Sequence, residues 1–251
     1  MIKPEFLCHY TSVDVLCKLF TEMENENMSF HASSVDFMND SAEYMTARNH
    51  CRDGVEEILM EEILGIPFAL CFSDSENHIP MWNMYANHGK GVCLMFNFEE
   101  LHKYFEILCN TKQDDFNSVK FSFCDYQEVN YKNEDEKPLF SNLEYPNTDE
   151  LKKAITEDAF IKPLSFNYEN EWRLMVWQSW YPTKKQKLFF KVRNDELCPY
   201  VKIPIPVDCL KQIILSPFAS DQMIDSVRIL IANYAPSHFI NVLKSKITLK
   251  L

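Results

Sequence analysis

At 251 residues, with 46% hydrophobic and 14% aromatic residues, the chain can build a sizeable core and is not a disordered polymer. A net charge of −12, from 25 Lys plus Arg against 37 Asp plus Glu, disfavours non-specific nucleic-acid binding across the whole surface. The four glycines, Gly54, Gly65, Gly89 and Gly91, spell neither GxGxxG nor GxxxxGK[ST], which excludes a glycine-loop dinucleotide or P-loop site.

The start, "MIKPEFLCHY", lacks the apolar core of a signal peptide, and no apolar run approaches the ~20 residues of a membrane span, so a cytosolic protein is expected. Residues 5–10 read as a strand. Ser12 is a good N-cap, with Asp14 in the first turn and Val15, Leu16, Leu19, Phe20 and Met23 at helical spacing behind it. A second strand is expected at 28–33, then a loop at 37–44 capping a helix that runs to about Gly65. "PFALCFS" (67–73) and "GVCLMFN" (91–97) are apolar runs too short for helices. Between them, Pro80 and Gly89 bracket a helical turn that stacks Met81, Trp82 and Tyr85.

The acidic stretch from about 110 to 150, broken by Pro138 and Pro146, is expected to be a surface insertion. A helix near 149–160 leads to "NYENEWRLMVW" (167–177). Read as extended backbone, that segment puts Glu169, Glu171 and Arg173 on one face and Trp172, Leu174 and Val176 on the other. A strand at 187–193, a buried run at 212–216, an amphipathic helix from Met223 to Tyr234 and a last strand from 241 complete one α+β domain over 1–251. The strip "KKQKLFFKVR" (184–193) is either an anion-facing patch or a solvated edge blunted with lysine.

Nine cysteines, odd in number and without CxxC spacing, point to mostly buried thiols in a reducing compartment. Neither a disulfide framework nor a zinc ribbon is indicated. Seven scattered histidines without HExxH spacing leave no metal site expected. A carboxylate opening a buried strand costs free energy unless paired, which singles out Glu171, with Arg173 as its plain structural partner.

"FLCHYTS", the F-x-N-D-x-x-E of "FMNDSAE", "MWNMYANHGKGVCLMF", "NYENEWRL" and "ILSP" resemble, in order from Phe6 to Pro217, the motifs of the bacterial family called domain of unknown function 2971. More distantly, a histidine leaving the first strand, a mid-chain aromatic and a glutamate heading a late strand resemble the H-Y-E pattern of ADP-ribosyltransferases. That likeness implies a split, antiparallel or mixed β-sheet flanked by helices, with NAD as substrate bound without a glycine loop. It implies that His9 bonds the adenosine ribose, that Tyr10, Thr11 or Ser12 help hold the cofactor, and that Tyr85, or alternatively Trp82, stacks on the nicotinamide. Glu171 would be the catalytic glutamate, and Glu169 the first acid of an E-x-E pair that orients the acceptor. Arg173 would orient Glu171 or meet a phosphate. Asn39 and Asp40 would face the cofactor or simply cap a turn.

Three functions compete. The first is NAD cleavage with transfer of ADP-ribose to a protein, a nucleic acid or water, in a toxin or a phage-defence protein. The second is a non-catalytic nucleotide- or protein-binding module of the same fold. The third is a hydrolase using Glu169 and Glu171, about 6–7 Å apart on one strand, as an acid and base pair.

Overall fold

The computed structural model describes residues 3–37, 65–110, 123–133, 148–178, 187–193 and 195–248. Its centre is a ten-stranded sheet in the order β12-β11-β4-β1-β3-β2-β10-β9, with β8 and then β5 joined to it through β3. The strands are β1 (Phe6–Thr11), β2 (Asn27–Ser34), β3 (Ile66–Ser73), β4 (Val92–Asn97), β5 (Phe123–Glu128), β8 (Glu171–Gln178), β9 (Phe189–Arg193), β10 (Glu196–Pro206), β11 (Leu210–Leu215) and β12 (Asn241–Lys244). Neighbours are antiparallel except β11 and β12. A separate parallel pair joins β6 (Asn130–Lys132) to β7 (Ile161–Pro163). The expected α+β class with a mixed, mostly antiparallel sheet is thus the observed one.

Helices cover both faces. On one, α1 (Val13–Thr21), α3 (Phe98–Asn110) and α5 (Asp221–Tyr234) bury Leu16, Phe20, Leu101, Phe105, Val227 and Ile231 against Leu7, Phe30, Phe72 and Phe96 of the strands. On the other, α2 (Ile79–Tyr85) packs Met81 and Trp82 on Cys8, Tyr10 and Cys93, while α4 (Thr148–Asp158) packs Ile155 on Ala69, Met175 and Trp177. Burial on both faces is why β3 and β8 are near-continuous apolar runs without alternation.

The first turn forms as its residues dictate: Ser12 Oγ accepts the Val15 N–H at 3.2 Å, and Asp14 pairs with Lys18. After α2 the chain reverses through Asn87, His88 and Gly89, all with positive φ. Gly91 then passes so close to β1 that a Cβ there would stand 2.1 Å from the Thr11 carbonyl oxygen.

Two expectations change, and a third is not reached by the described residues. The stretch expected as a surface insertion contributes β5, whose six residues pair with β8 in the main sheet, and β6; residues 111–122 and 134–147 lie outside the described residues. The loop at 37–44 and the helix to Gly65 also lie outside them, apart from Phe37 and Gly65 themselves. Among the cysteines, Cys109 and Cys124 form a disulfide because α3 lies along β5, whereas Cys8, Cys93, Cys198 and Cys209 are buried thiols.

Candidate active site

The site forms where β3 forks. Along one edge β3 pairs with β8 over all eight residues, from Ile66↔Gln178 to Ser73↔Glu171. Its other edge is shared: β1 meets it at Cys8↔Ser73, and β2 at Ser33↔Ala69 and Ser34↔Phe68. Cys71 lies between these contacts, and its carbonyl accepts the Nδ1 hydrogen of His9 at 2.9 Å. His9 thereby satisfies a backbone acceptor that the divergence of β1 and β2 leaves without a strand partner. Burial holds its pKa below the usual range, partly offset by the Cys71 bond, so the ring is neutral and Nε2 is left as an acceptor.

A cavity of about 200 Å³ sits at this fork, and His9, Tyr10, Tyr85, Glu169 and Glu171 all line it. Cys8 faces the same side as Ser73 and Glu171, so alternation gives His9 the opposite side, where its ring meets Phe30 and Phe72 at 5.3 and 5.7 Å.

The acids are held in a buried charge cluster. Glu169, Glu171, Lys162 and Arg173 are each no more than 4% exposed. Arg173 grips Glu171 with both prongs, Nε to Oε1 at 2.7 Å and Nη2 to Oε2 at 3.0 Å, and donates Nη1 to the Ala159 carbonyl at 2.9 Å. Lys162 Nζ bridges the two carboxylates, 2.6 Å from Glu169 Oε2 and 3.3 Å from Glu171 Oε2. Tyr85 Oη donates to Glu169 Oε1 at 2.7 Å. Burial pushes the Glu171 carboxyl up, but Arg173 and Lys162 outweigh it and hold the pKa at about 2. Burial, then the neighbouring Glu169 charge, pushes the Tyr85 hydroxyl up, so it stays a donor.

The backbone around the acids departs from the expected extended run. Residues 164–169 form a 3₁₀ turn, Asn170 closes it at φ 43°, and β8 begins only at Glu171. Asparagine tolerates that left-handed geometry, which is why the turn ends there. Glu169 and Glu171 therefore meet at a shared ammonium and are not neighbours along one strand face. Ser73 Oγ pins the turn by donating to the Glu169 carbonyl at 2.6 Å, and the Glu171 N–H donates to Tyr131 Oη at 2.8 Å.

Other expected residues lie elsewhere. Trp82 is fully buried, edge-on to Tyr10 at 5.5 Å and absent from the cavity lining, so it is not available to stack on a ligand there. Thr11 is buried in β1 and Ser12 caps α1; neither lines the cavity. Tyr10 does, with its hydroxyl donated to the Ser75 carbonyl at 2.6 Å. Arg173 is engaged by Glu171 and Ala159 and is not a lining residue. Asn39 and Asp40 lie outside the described residues.

Lys162, Tyr131 and Cys71 were not foreseen. The one available signal was electrostatic: two buried carboxylates with a single arginine ask for a second cation, and "IKP" supplies it. The depressed Glu171 pKa argues against this carboxyl as the acid of the pair in the third function, since a carboxyl ionised down to about pH 2 is no general acid.

The family model described as protein of unknown function (DUF2971) matches residues 81–174. Two solved structures of Thermus sp. 2.9 DarT are similar to the chain. The one in complex with ADP-ribosylated ssDNA has 10% identity and a TM-score of 0.39, covering 97% of this chain and 95% of that one. The one in complex with NAD+ has 11% identity and a TM-score of 0.39, covering 98% and 97%. A likeness at this level decides nothing about the site. No curated protein matches the chain.

Proposed function

We propose that the chain is an ADP-ribosyltransferase or NAD glycohydrolase with NAD as substrate, built on an ADP-ribosyltransferase-like fold. The observation that supports this best is that one cavity, at the forked strand of an otherwise continuous sheet, is lined by His9, Tyr85, Glu169 and Glu171. In this reading the nicotinamide–ribose bond breaks with its electron pair leaving on the nicotinamide. The ribose ring becomes an oxocarbenium ion, and water or a macromolecular nucleophile adds to it with loss of a proton. Glu171, ionised and fixed by Arg173 and Lys162, accepts a hydrogen bond from a ribose hydroxyl that strengthens as the ring turns cationic. Glu169, held by Tyr85 and Lys162, faces the acceptor. Neutral His9 offers Nε2 to a hydroxyl of the adenosine ribose, and the Tyr85 ring lies against the nicotinamide. At about 200 Å³ the cavity falls below the roughly 300–1,000 Å³ of drug-sized pockets, so part of a bound dinucleotide lies outside it. The protein is proposed to be bacterial and cytoplasmic, acting as a toxin or in phage defence.

A specific observation favours a second reading, a nucleotide-binding module without catalysis. A carboxylate offers about four acceptor positions. Those of Glu171 are met by Arg173 Nε and Nη2, by Lys162 and by the Cys71 thiol. For catalysis a ribose hydroxyl must displace the weakest of these donors, the thiol. Incubating the pure protein with NAD and following nicotinamide release separates the readings. Catalysis predicts release that falls by roughly 10²-fold or more in Glu171→Gln. A binding module predicts no release, while ADP-ribose still raises the unfolding temperature. Wild-type turnover in a folded Glu171→Gln protein overturns the catalytic assignment.

A further inference from the structure

Glu171 is held by its main chain as well as by its carboxylate, and one segment, β5 with β6, supplies both main-chain contacts. β5 lies along β8 from Phe123↔Trp177 to Glu128↔Trp172. Beyond it, Val129 donates its N–H to the Glu171 carbonyl at 2.8 Å, and Tyr131 Oη accepts the Glu171 N–H at 2.8 Å. Between them, Asn130 donates its N–H to the Phe160 carbonyl at 2.7 Å. Tyr131 is also the register partner of Lys162 in the β6–β7 pair, so the same segment places the ammonium that bridges the two carboxylates.

This bracing segment is itself thinly held. Among the described residues β8 is the only strand that pairs with β5. Tyr126 rests against Phe105 of α3 with ring centroids 4.9 Å apart. The remaining tie is covalent: the disulfide joins Cys109, in the last turn of α3, to Cys124, the second residue of β5, across a sequence separation of 15. A cross-link of that span removes chain entropy from every state in which β5 leaves α3. Both cysteines are only half-buried, at the margin of the core. In the cytoplasm, where the chain is proposed to act, thiol pools keep cysteines reduced, and the disulfides that form there are mostly transient and redox-sensing.

We infer that Cys109 and Cys124 form a reversible redox clamp on the candidate active site: oxidised, it fixes β5 and β6 and through them Glu171 and Lys162; reduced, it slackens both. A dithiol supplies the electrons. Its thiolate attacks one sulfur and frees the other as a thiol; its second thiol then resolves the mixed disulfide, so two electrons and two protons end on Cys109 and Cys124 while the dithiol becomes a disulfide. Tyr131 is then a positioning residue, acting on Glu171 through its main chain. The clamp concerns regulation of the site, and it rests on the NAD reading only where turnover is the readout.

The test compares the full chain after oxidised glutathione and after excess dithiothreitol, with Cys109 and Cys124 followed by alkylation and mass mapping, backbone amides by deuterium exchange, and turnover by nicotinamide release. Expected are a disulfide that opens and re-forms, and exchange at Val129, Tyr131 and Glu171 that is about 10- to 100-fold faster when reduced, the range loop closure at this span allows. Exchange in β10 stays the same. The Cys109→Ser, Cys124→Ser double variant exchanges like the reduced protein in both buffers. Turnover on reduction loses about 10-fold or more in kcat with KM little changed, and reoxidation restores it. Three results overturn the proposal: a disulfide that never forms or that dithiothreitol leaves intact, equal exchange at those amides in the two states, or exchange that responds while an active protein keeps its kcat. If exchange responds and neither state releases nicotinamide, the clamp stands and the catalytic reading falls.

Discussion

Glu171→Gln tests the buried charge cluster without reference to any ligand. The native carboxyl titrates at about 2 against an ordinary value of 4.5. A group with a depressed native pKa contributes stability that is complete above its unfolded pKa and is lost as pH falls toward the native one. The shift corresponds to about 3 kcal/mol, of which about 2 kcal/mol is gone by pH ~3. Glutamine leaves Arg173 facing a neutral acceptor in a buried place, so the variant is less stable at neutral pH by about 3–5 kcal/mol. It has no proton to gain. The gap between wild type and variant, from urea unfolding free energies at a series of pH values, should therefore narrow by about 2 kcal/mol between pH ~6 and pH ~3. A gap constant over that range would mean that the carboxylate is not held by Arg173 and Lys162 in solution, and the site geometry would be wrong.

Lys162→Met leaves the buried Glu169 carboxylate without its cation and Glu171 with Arg173 alone, and should cost about 3–5 kcal/mol in the same assay; a loss below that of Tyr85→Phe would refute the bridging role. Tyr85→Phe removes the 2.7 Å bond to Glu169 and should lower the urea midpoint, at unchanged m, by about 1–3 kcal/mol in free energy. His9→Phe leaves the Cys71 carbonyl without its side-chain donor and should cost about 1–3 kcal/mol, seen as a lower unfolding temperature; an unchanged temperature would show that the fork does not depend on the imidazole. Gly91→Ala sets a methyl group 2.1 Å from the Thr11 oxygen and 2.9 Å from Ala86, both backbone, so neither side yields easily. A destabilisation of about 3 kcal/mol is expected, and a stable variant would contradict the closeness of β1 to the turn after α2.

Elements with a strong local pattern were legible in the sequence. Ser12 and Asp14 start α1, Pro80 starts α2, and the short apolar runs at 67–73 and 91–97 are β3 and β4. Other elements depended on partners distant in the chain. β5, "FCDYQE", lacks strand character of its own and is a strand because β8 pairs with it. β10 contains Pro199, Pro204 and Pro206, which argue against a strand; yet its first half pairs with β9 and its second with β2, sharing only Tyr200, so each half keeps an edge where a proline nitrogen costs no ladder bond. The amphipathic α3 was not among the expected elements, although Phe98, Leu101, Phe105 and Leu108 have helical spacing. At the site, period two placed Glu169 and Glu171 together for the wrong reason. They meet because Lys162 lies between them, and a contact made by a residue on another element has no local signature.

The unequal sharing of β3 has a mechanical consequence. The side carrying Glu171 and Arg173 is joined to it at eight consecutive positions, the side carrying β1 at one and β2 at two. Cohesion is therefore lopsided, and main-chain amides on the sparsely joined margin should exchange with deuterium sooner than those facing β8. Any widening needed to admit a bulky guest would come from β1 swinging outward, while the acidic wall stays put and keeps its aim.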